Sequence, residues 1–534
     1  MFLRFNASDL MRLVALLLLA APSTVMAIFT IGNDIELEGF LKAQNIVRTP
    51  DFEDAEGIMQ RNTGQVEGKY YFLREGVAFN RFDTGPLEEA TFSFIARAHY
   101  DSIYEIRNSY DEAYGFGDGK HGEYGYSLRE AFVDLILPPF SLRLGRQQVV
   151  WGETDNFRAL DVINPLDLSW HWSRESWEDI RIPLWMARGI YDIGKLWGLE
   201  ESFIEAIWIP SDFRPNKVTV DPRRPWAFTG DGLNETANSV VIDDQLYDLN
   251  FQIRDRQPDR KLANGQGGFR FKAIWGDIDF SLNYFYGFSP EPGFKIKGDR
   301  ERGTTFDVFA DIVNPRSHVL GLTANYSEER YTQAVFRLET AFTTGVPVAV
   351  SASAPAEVDP EGDQYDEARR TVVMVAMDRP TWIRWLNKNR TVFLSTQVFW
   401  RRWIDYSSHY RGQIATVKRA VVGGSTMPGR FVSEMNDEID KNEFVITFAA
   451  STNYGPAGLW RPQFVFAIDP RSTGAYNRLR LDYQYSDNWL FRLQQDLYWE
   501  IHDNDPGPWA LGDIWGQSNE QSRHETMFSV IFQF

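Results

Sequence analysis

The chain has 534 residues, no cysteine, a formal net charge of −19 and 15% aromatic residues, including 18 tryptophans. The acidic balance leaves no basic face for nucleic acid, and the missing cysteines exclude a disulfide framework, thiolate metal sites and haem attachment through C-x-x-C-H. A mean hydropathy of −0.37 taken alone suits a soluble secreted protein, whereas the aromatic content suits a barrel with girdles at two membrane interfaces.

Arg4 and Arg12 flank a short polar start, Leu13 to Ala21 is an apolar run, and Val25-Met26-Ala27 fits a small-residue cleavage site. This pattern predicts a secretory signal peptide over 1–27, cleaved near Ala27, and one barrel domain over 28–534. No Cys follows the cleavage site, which argues against a lipoprotein. No later stretch offers the roughly 18 consecutive apolar residues that a membrane helix needs.

Period-two segments then follow one another. Segment 35–47 sets Ile35, Leu37, Gly39, Leu41 and Ala43 against Glu36, Glu38, Lys42 and Gln44. After 69–81, segment 90–105 sets Phe92, Phe94, Ala96, Ala98 and Tyr100 against Ser93, Arg97 and His99. Further strands are predicted over 126–137, 141–150, 185–193 and 202–210. Segments 268–275 and 278–288 flank the tight-hairpin pair Gly276-Asp277. The list continues with 317–326, 331–342, 371–377, 391–400, 443–452 and 462–468. Segments 477–485 and 489–499 flank Ser486-Asp487-Asn488, and 524–534 ends the series. These make about 18 strands, within a range of about 14–18.

Short and long links alternate. Short ones include 82–89, 138–139, 276–277, 327–330 and 486–488; long ones include 48–68, 106–125, 151–184, 211–267, 289–316, 343–370, 401–442 and 502–523, with 469–476 short where parity asks for a long loop. A transmembrane antiparallel β-barrel has short periplasmic turns and long extracellular loops, so this is the expected all-β fold. At the end of the chain, Phe528, Val530, Phe532 and Phe534 fall on alternate positions. That ending resembles the C-terminal insertion signal of outer-membrane proteins, and it predicts a closing strand with its apolar face to lipid.

Chemistry-bearing constellations are sparse. The seven histidines are scattered, with no H-E-x-x-H pair, and no G-x-S-x-G elbow occurs. The expectation is a protein that is not an enzyme, with no cofactor and no metal site. Acidic runs at 356–367 and 434–443 lack calcium-loop spacing and read as solvated surface. The densest stretch runs Leu144-Gly145-Arg146-Gln147-Gln148-Val149-Val150-Trp151-Gly152-Glu153-Thr154-Asp155 and on to Asp161-Val162-Ile163-Asn164-Pro165-Leu166-Asp167. Asn164-Pro165 starts a turn and Asp167 can bond back to the backbone. Trp170, Trp172 and Trp177 follow, beside Arg174, Glu175 and Arg181. Segment 151–184 either folds inward as a constriction or holds its tryptophans on the outer rim as interface anchors.

The run G-R-Q-x-V-x-W-G-E followed by D-V-I-N-P-L-D resembles the signature of the proteobacterial outer-membrane family catalogued as domain of unknown function 1302. Phe336-Arg337-Leu338-Glu339-Thr340-Ala341-Phe342 and Asp378-Arg379-Pro380-Thr381-Trp382-Ile383-Arg384-Trp385-Leu386-Asn387 resemble it too. The resemblance implies a Gram-negative outer-membrane barrel, and a lipoprotein partner and an RND-type transporter as neighbours in lipid or hydrophobe traffic. Other expected partners are outer-membrane lipids, lipopolysaccharide and the barrel assembly machinery.

The function expected is a porin-like channel for small molecules, hydrophobic or lipid-like ones included. The alternative is a structural barrel or adaptor of a transport machine, with little conductance of its own. Candidate lumen or ligand residues are Arg97, His99, Arg146, Trp151, Glu153, Asp155, Asn164, Asp167, Arg337 and Glu339, with Arg337 and Glu339 expected as a paired charge on one strand face. The segment 378–387 is expected at the periplasmic side, as an interface anchor or a contact for a periplasmic partner.

Overall fold

The computed structural model describes residues 29–32, 34–49, 55–79, 81–107, 124–155, 157–169, 175–218, 237–302, 304–412, 416–434, 438–470, 474–500, 517–518, 521–522 and 524–534. The expected signal peptide with its site near Ala27, and Trp170, Trp172 and Arg174, lie outside these residues.

Eighteen antiparallel strands close into one barrel. In chain order they are β1 (Ile35–Arg48), β2 (Glu56–Arg74), β3 (Glu89–Asp101), β4 (Tyr124–Leu137), β5 (Phe140–Gln147) and β6 (Leu184–Asp192). Next come β7 (Glu201–Ile209), β8 (Gln266–Trp275), β9 (Ile278–Phe288), β10 (Arg316–Glu328), β11 (Ala334–Val350) and β12 (Tyr365–Thr381). The last six are β13 (Val392–Trp403), β14 (Asn442–Ser451), β15 (Trp460–Ile468), β16 (Gly474–Gln484), β17 (Trp489–Glu500) and β18 (Glu525–Gln533). Every period-two segment of the sequence became one of these strands.

Closure is made by β18 against β1, with Ala43 opposite Val530 and Lys42 opposite Ile531. Beyond the strand, the Phe534 amide donates to the Gly39 carbonyl at 3.0 Å and Gly39 returns a bond of 2.9 Å. Phe528, Val530, Phe532 and Phe534 share the outer face, and Met527, Ser529 and Ile531 turn inward, as strand alternation requires.

The outer face carries exposed Leu282, Leu320, Val375, Leu479 and Leu493. The inward face buries polar groups such as Gln65, Glu205, Gln397 and Asp482. With no water in the hydrocarbon layer, only a closed ladder of this kind satisfies the backbone of a membrane-crossing sheet. Leu282 sits near the middle of β9 on the outer face. Leu282→Arg is therefore expected to cost about 2–4 kcal/mol of folding stability in lipid vesicles, read by urea unfolding; unchanged stability would argue against a lipid-facing position.

Three expectations need correction. β2 starts at Glu56, so the first extracellular link is 49–55 and not 48–68. Its outward positions include Gly64 and Gly68, where a Cβ would lie 3.3 Å from Leu41 and 2.3 Å from Phe94. Apolar cover there comes from neighbouring strands, so the strand's own alternation is weak. Second, the loop expected over 343–370 shrinks to 351–364, because β11 and β12 extend as a tall hairpin. Third, the long links 211–267, 289–316 and 401–442 contain strands of their own. Strands Ser239–Ile242, Gln245–Asp255, Gly293–Arg302 and Thr305–Val313 form a four-stranded extracellular sheet, in which 245–255 pairs in parallel with 305–313. Hairpin Thr416–Val422/Ser425–Glu434 leans on it, the Asn238 amide donating to the Phe431 carbonyl at 3.0 Å.

Candidate functional site: a loop pinned across the lumen

The connection between β5 and β6, residues 148–183, turns into the barrel. Its neck is fixed by Asn164, which is fully buried. The Asn164 side-chain carbonyl accepts from the Val149 amide at 2.8 Å, and its amide donates to the Ile182 carbonyl at 2.9 Å. One side chain thus clamps the outgoing and returning chain. Asp167 bonds back to the Ser169 amide at 3.2 Å, the turn chemistry that its sequence position promised. Both residues shape the loop and neither forms the lumen tip.

Beyond the neck, Trp151 is 2% exposed and meets Phe285 edge-on at 6.3 Å. It packs with Val149, Leu160 and Ile163 of the loop against Ile207, Ile209, Val319 and Ala341 of the wall. The wall makes room with glycine. A Cβ at Gly268 would lie 2.8 Å from Trp151, and one at Gly321 would lie 2.1 Å from Leu160. Trp151 is therefore an inward core residue, and the outer-rim alternative does not hold for it. At the extracellular side His99, inward on β3, packs over Gly125, where a Cβ would come within 2.5 Å of its ring.

At the tip, Glu339 of β11 accepts the amides of Glu153 at 2.6 Å and Leu160 at 2.5 Å. Arg337, two residues earlier on the same face, donates to the Glu153 carbonyl at 2.5 Å and pairs with Asp155 at 2.8 Å and with Asp378 of β12 at 2.7 Å. The two strand charges do not pair with each other as expected; each holds the loop. Gln397 of β13 donates to Asp155 at 2.6 Å, Asn325 of β10 donates to Glu153, and Phe157 meets Phe399 at 5.5 Å.

The returning chain reaches the opposite wall. Lys42 of β1 pairs with Glu175 at 2.6 Å, Arg97 of β3 pairs with Asp179, and Arg129 of β4 donates to the carbonyls of Glu178 and Arg181. The Trp177 indole donates to the Asp155 carbonyl at 2.8 Å, joining the two branches. In a ring of 18 strands β1–β3 lie across from β10–β12, so the loop bridges the lumen from wall to wall.

Burial works against the charge on Asp179, but Arg97, Lys42 and the Ser176 hydroxyl outweigh it and hold the carboxyl down at about 2. A depressed folded-state value means that the contact contributes fully above about pH 4 and is lost as pH falls through the folded value. Asp179→Asn is expected to loosen the loop at pH 7, seen as added single-channel noise, with the gap from the parent closing below about pH 4. A gap constant with pH would refute the assignment.

Beneath the loop, on the periplasmic side, lies a cavity of about 500 Å³. Inward Glu36, Glu38, Glu67 and Glu89 line one side, and Ile95, Phe132, Ile190, Arg143 and Arg188 the other. Arg146 is not part of the lumen, since it stands on the opposite face of β5 from Arg143 and Gln147.

Lys42, Arg129, Asp179, Asn325 and Gln397 were not singled out in the sequence. For the four strand residues the only signal was a polar side chain on an inward phase, which dozens of positions share, and Asp179 lies in a short helical turn of the loop, where no phase applies. On the periplasmic side, Trp382 and Trp385 stand exposed on the turn 382–391, which Asn387 fixes by donating to Thr452 at 2.9 Å.

Fold and site together define a closed, 18-stranded antiparallel β-barrel whose lumen is narrowed by an inward-folded loop. The model of the family described as "Protein of unknown function (DUF1302)" matches residues 79–534, and the chain belongs to that family. No curated protein matches the chain. Among solved structures, it is similar to Acinetobacter baumannii OccAB3 (9% identity, 94% of this chain and 99% of that one, TM-score 0.44). Pseudomonas aeruginosa OccK1 (OpdK) gives 9% identity over 93% and 98%, TM-score 0.43, and Salmonella typhi OmpF in complex with daunomycin 10% over 95% and 100%, TM-score 0.39.

Proposed function

We propose that the protein is a porin-like channel, in which small molecules pass beside the loop 148–183 and hydrophobic ones are among the solutes. The observation that carries this reading is the wall-to-wall bridge pinned by Glu339 and Arg337. A barrel of this width needs such an element to restrict flow without closing it. Support for apolar solutes comes from the cavity below, where Ile95, Phe132 and Ile190 stand beside charged groups. Ligand sites of that size combine apolar walls with a few polar groups.

Planar-bilayer conductance and liposome swelling on the purified barrel test the proposal. Conductance at the baseline in both assays would overturn it. Arg337→Ala leaves Asp155 and Asp378 without their cation, so cation permeability relative to anions is expected to rise, measured as a shifted reversal potential in a salt gradient. An unshifted potential would remove Arg337 from selectivity.

The second reading is an adaptor barrel that holds a periplasmic or lipoprotein partner, or an RND-type transporter, against the membrane. It is favoured by the packing of Trp151, Leu160 and Ile163 into one side of the lumen, which fills space a channel would leave open.

A further inference from the structure

Arg146 belongs to the densest motif of the sequence, yet the lumen does not use it. Across β6 it lies opposite Trp185, and the outer face around it carries Leu144 and, one strand further, Trp208. Leu144, Trp185 and Trp208 are 42%, 47% and 56% exposed. Arg146 is the next-to-last residue of β5, at the extracellular end, so it stands where the lipid tails give way to the headgroups of the outer leaflet.

Just above, the chain leaving β7 brings Asp212 and Arg214 to the same place. Both act electrostatically on Arg146, as does Glu130 from the inward phase of β4. The Asp212 carboxylate is already engaged: one oxygen accepts the Trp185 amide at 3.0 Å and the other accepts Arg214 at 3.0 Å. Arg146 forms no ion pair with a described residue, and its Nε is buried without a hydrogen-bond partner. On the outer side of the rim, with Glu130 across the sheet on the inward phase, two guanidiniums share the one carboxylate of Asp212. A guanidinium left without its own counter-charge beside hydrocarbon is costly, and a phosphate is the anion that its planar donor fork fits best.

We infer that Arg146 and Arg214 bind a phosphate of a phosphorylated glycolipid in the outer leaflet, with Trp185 and Trp208 flanking the lipid at the interface. Continuity with the lipid-facing wall selects a membrane lipid over a soluble anion, and the excess of one positive charge among Arg146, Arg214 and Asp212 on the outer side selects a phosphorylated one.

Native mass spectrometry of the full barrel in detergent tests this, with diphosphoryl lipid A, dephosphorylated lipid A and inorganic phosphate as probes. The parent protein is expected to retain one diphosphoryl lipid A and little of the dephosphorylated form. Arg146→Gln is expected to weaken retention about tenfold, the loss of one charge-assisted pair, with unchanged heat-modifiable migration of the barrel. Arg214→Gln should act in the same direction, which keeps the test open if the first variant folds poorly. Equal retention by both variants, or equal binding of dephosphorylated lipid A, would overturn the assignment. Displacement of lipid A by inorganic phosphate at matched concentration would overturn the lipid source and leave a free-anion site.

Discussion

Gly321→Leu is expected to drive the lumen loop off the wall and raise single-channel conductance severalfold. A Cβ at Gly321 would lie 2.1 Å from one Leu160 methyl carbon and 2.7 Å from the other, and Leu160 is 1% exposed. Overpacking at such a site costs about 1–3 kcal/mol. The strain is concentrated, because Leu160 is held from the other side by its own amide on Glu339. Wall and loop cannot both keep their places. The strand has no reason to yield, since Gly321 pairs in register with Asn283 and Ala341 inside the closed sheet. Planar-bilayer recordings on the folded barrel decide the matter, and unchanged conductance would remove the loop as the constriction.

Glu339→Ala should act from the opposite partner. It leaves the Glu153 and Leu160 amides without their acceptor, at about 1–3 kcal/mol for each buried donor. The detached population is expected to rise at least tenfold. Conductance should increase, and trypsin added from the extracellular side should cut after Arg158, which in the parent is tied to Asp161 at 3.2 Å. Glu339→Gln keeps one acceptor oxygen and turns a donor toward one of the amides, so its effect should be intermediate. If Glu339→Ala resists trypsin as well as the parent does, the carboxylate is not the loop's anchor.

Both variants act on contacts that alternation alone could only half reveal. Period two told inside from outside for Arg97, His99, Arg337 and Glu339, because a strand residue's face is settled by its neighbours in sequence. It failed at Arg146. Positive φ at Gly145 marks an irregular end to β5, and a charged residue beside an apolar one gives no hint that the rim, and not the lumen, receives it. It failed again over 56–68, where outward glycines borrow their apolar cover from Leu41 and Phe94. Links were legible as to side of the membrane, yet their contents were not. Whether Trp151 and Leu160 turn inward depends on Gly268 and Gly321 respectively, more than a hundred residues away, and spacing carries no record of such a fit.

The extracellular sheet couples regions of the chain that look independent. Strand 245–255 belongs to the link after β7 and 305–313 to the link after β9, yet they share one parallel ladder, and the hairpin from the link after β13 rests on the same structure. Surface engineering therefore meets two kinds of ground. An epitope or enzyme inserted within 239–255 would unseat segments from three separate links at once. The connection 469–473 is only five residues long, and its described residues Asp469 and Pro470 pair with none of those strands, so it is the place to graft a display cargo while leaving the rest of the surface as it stands.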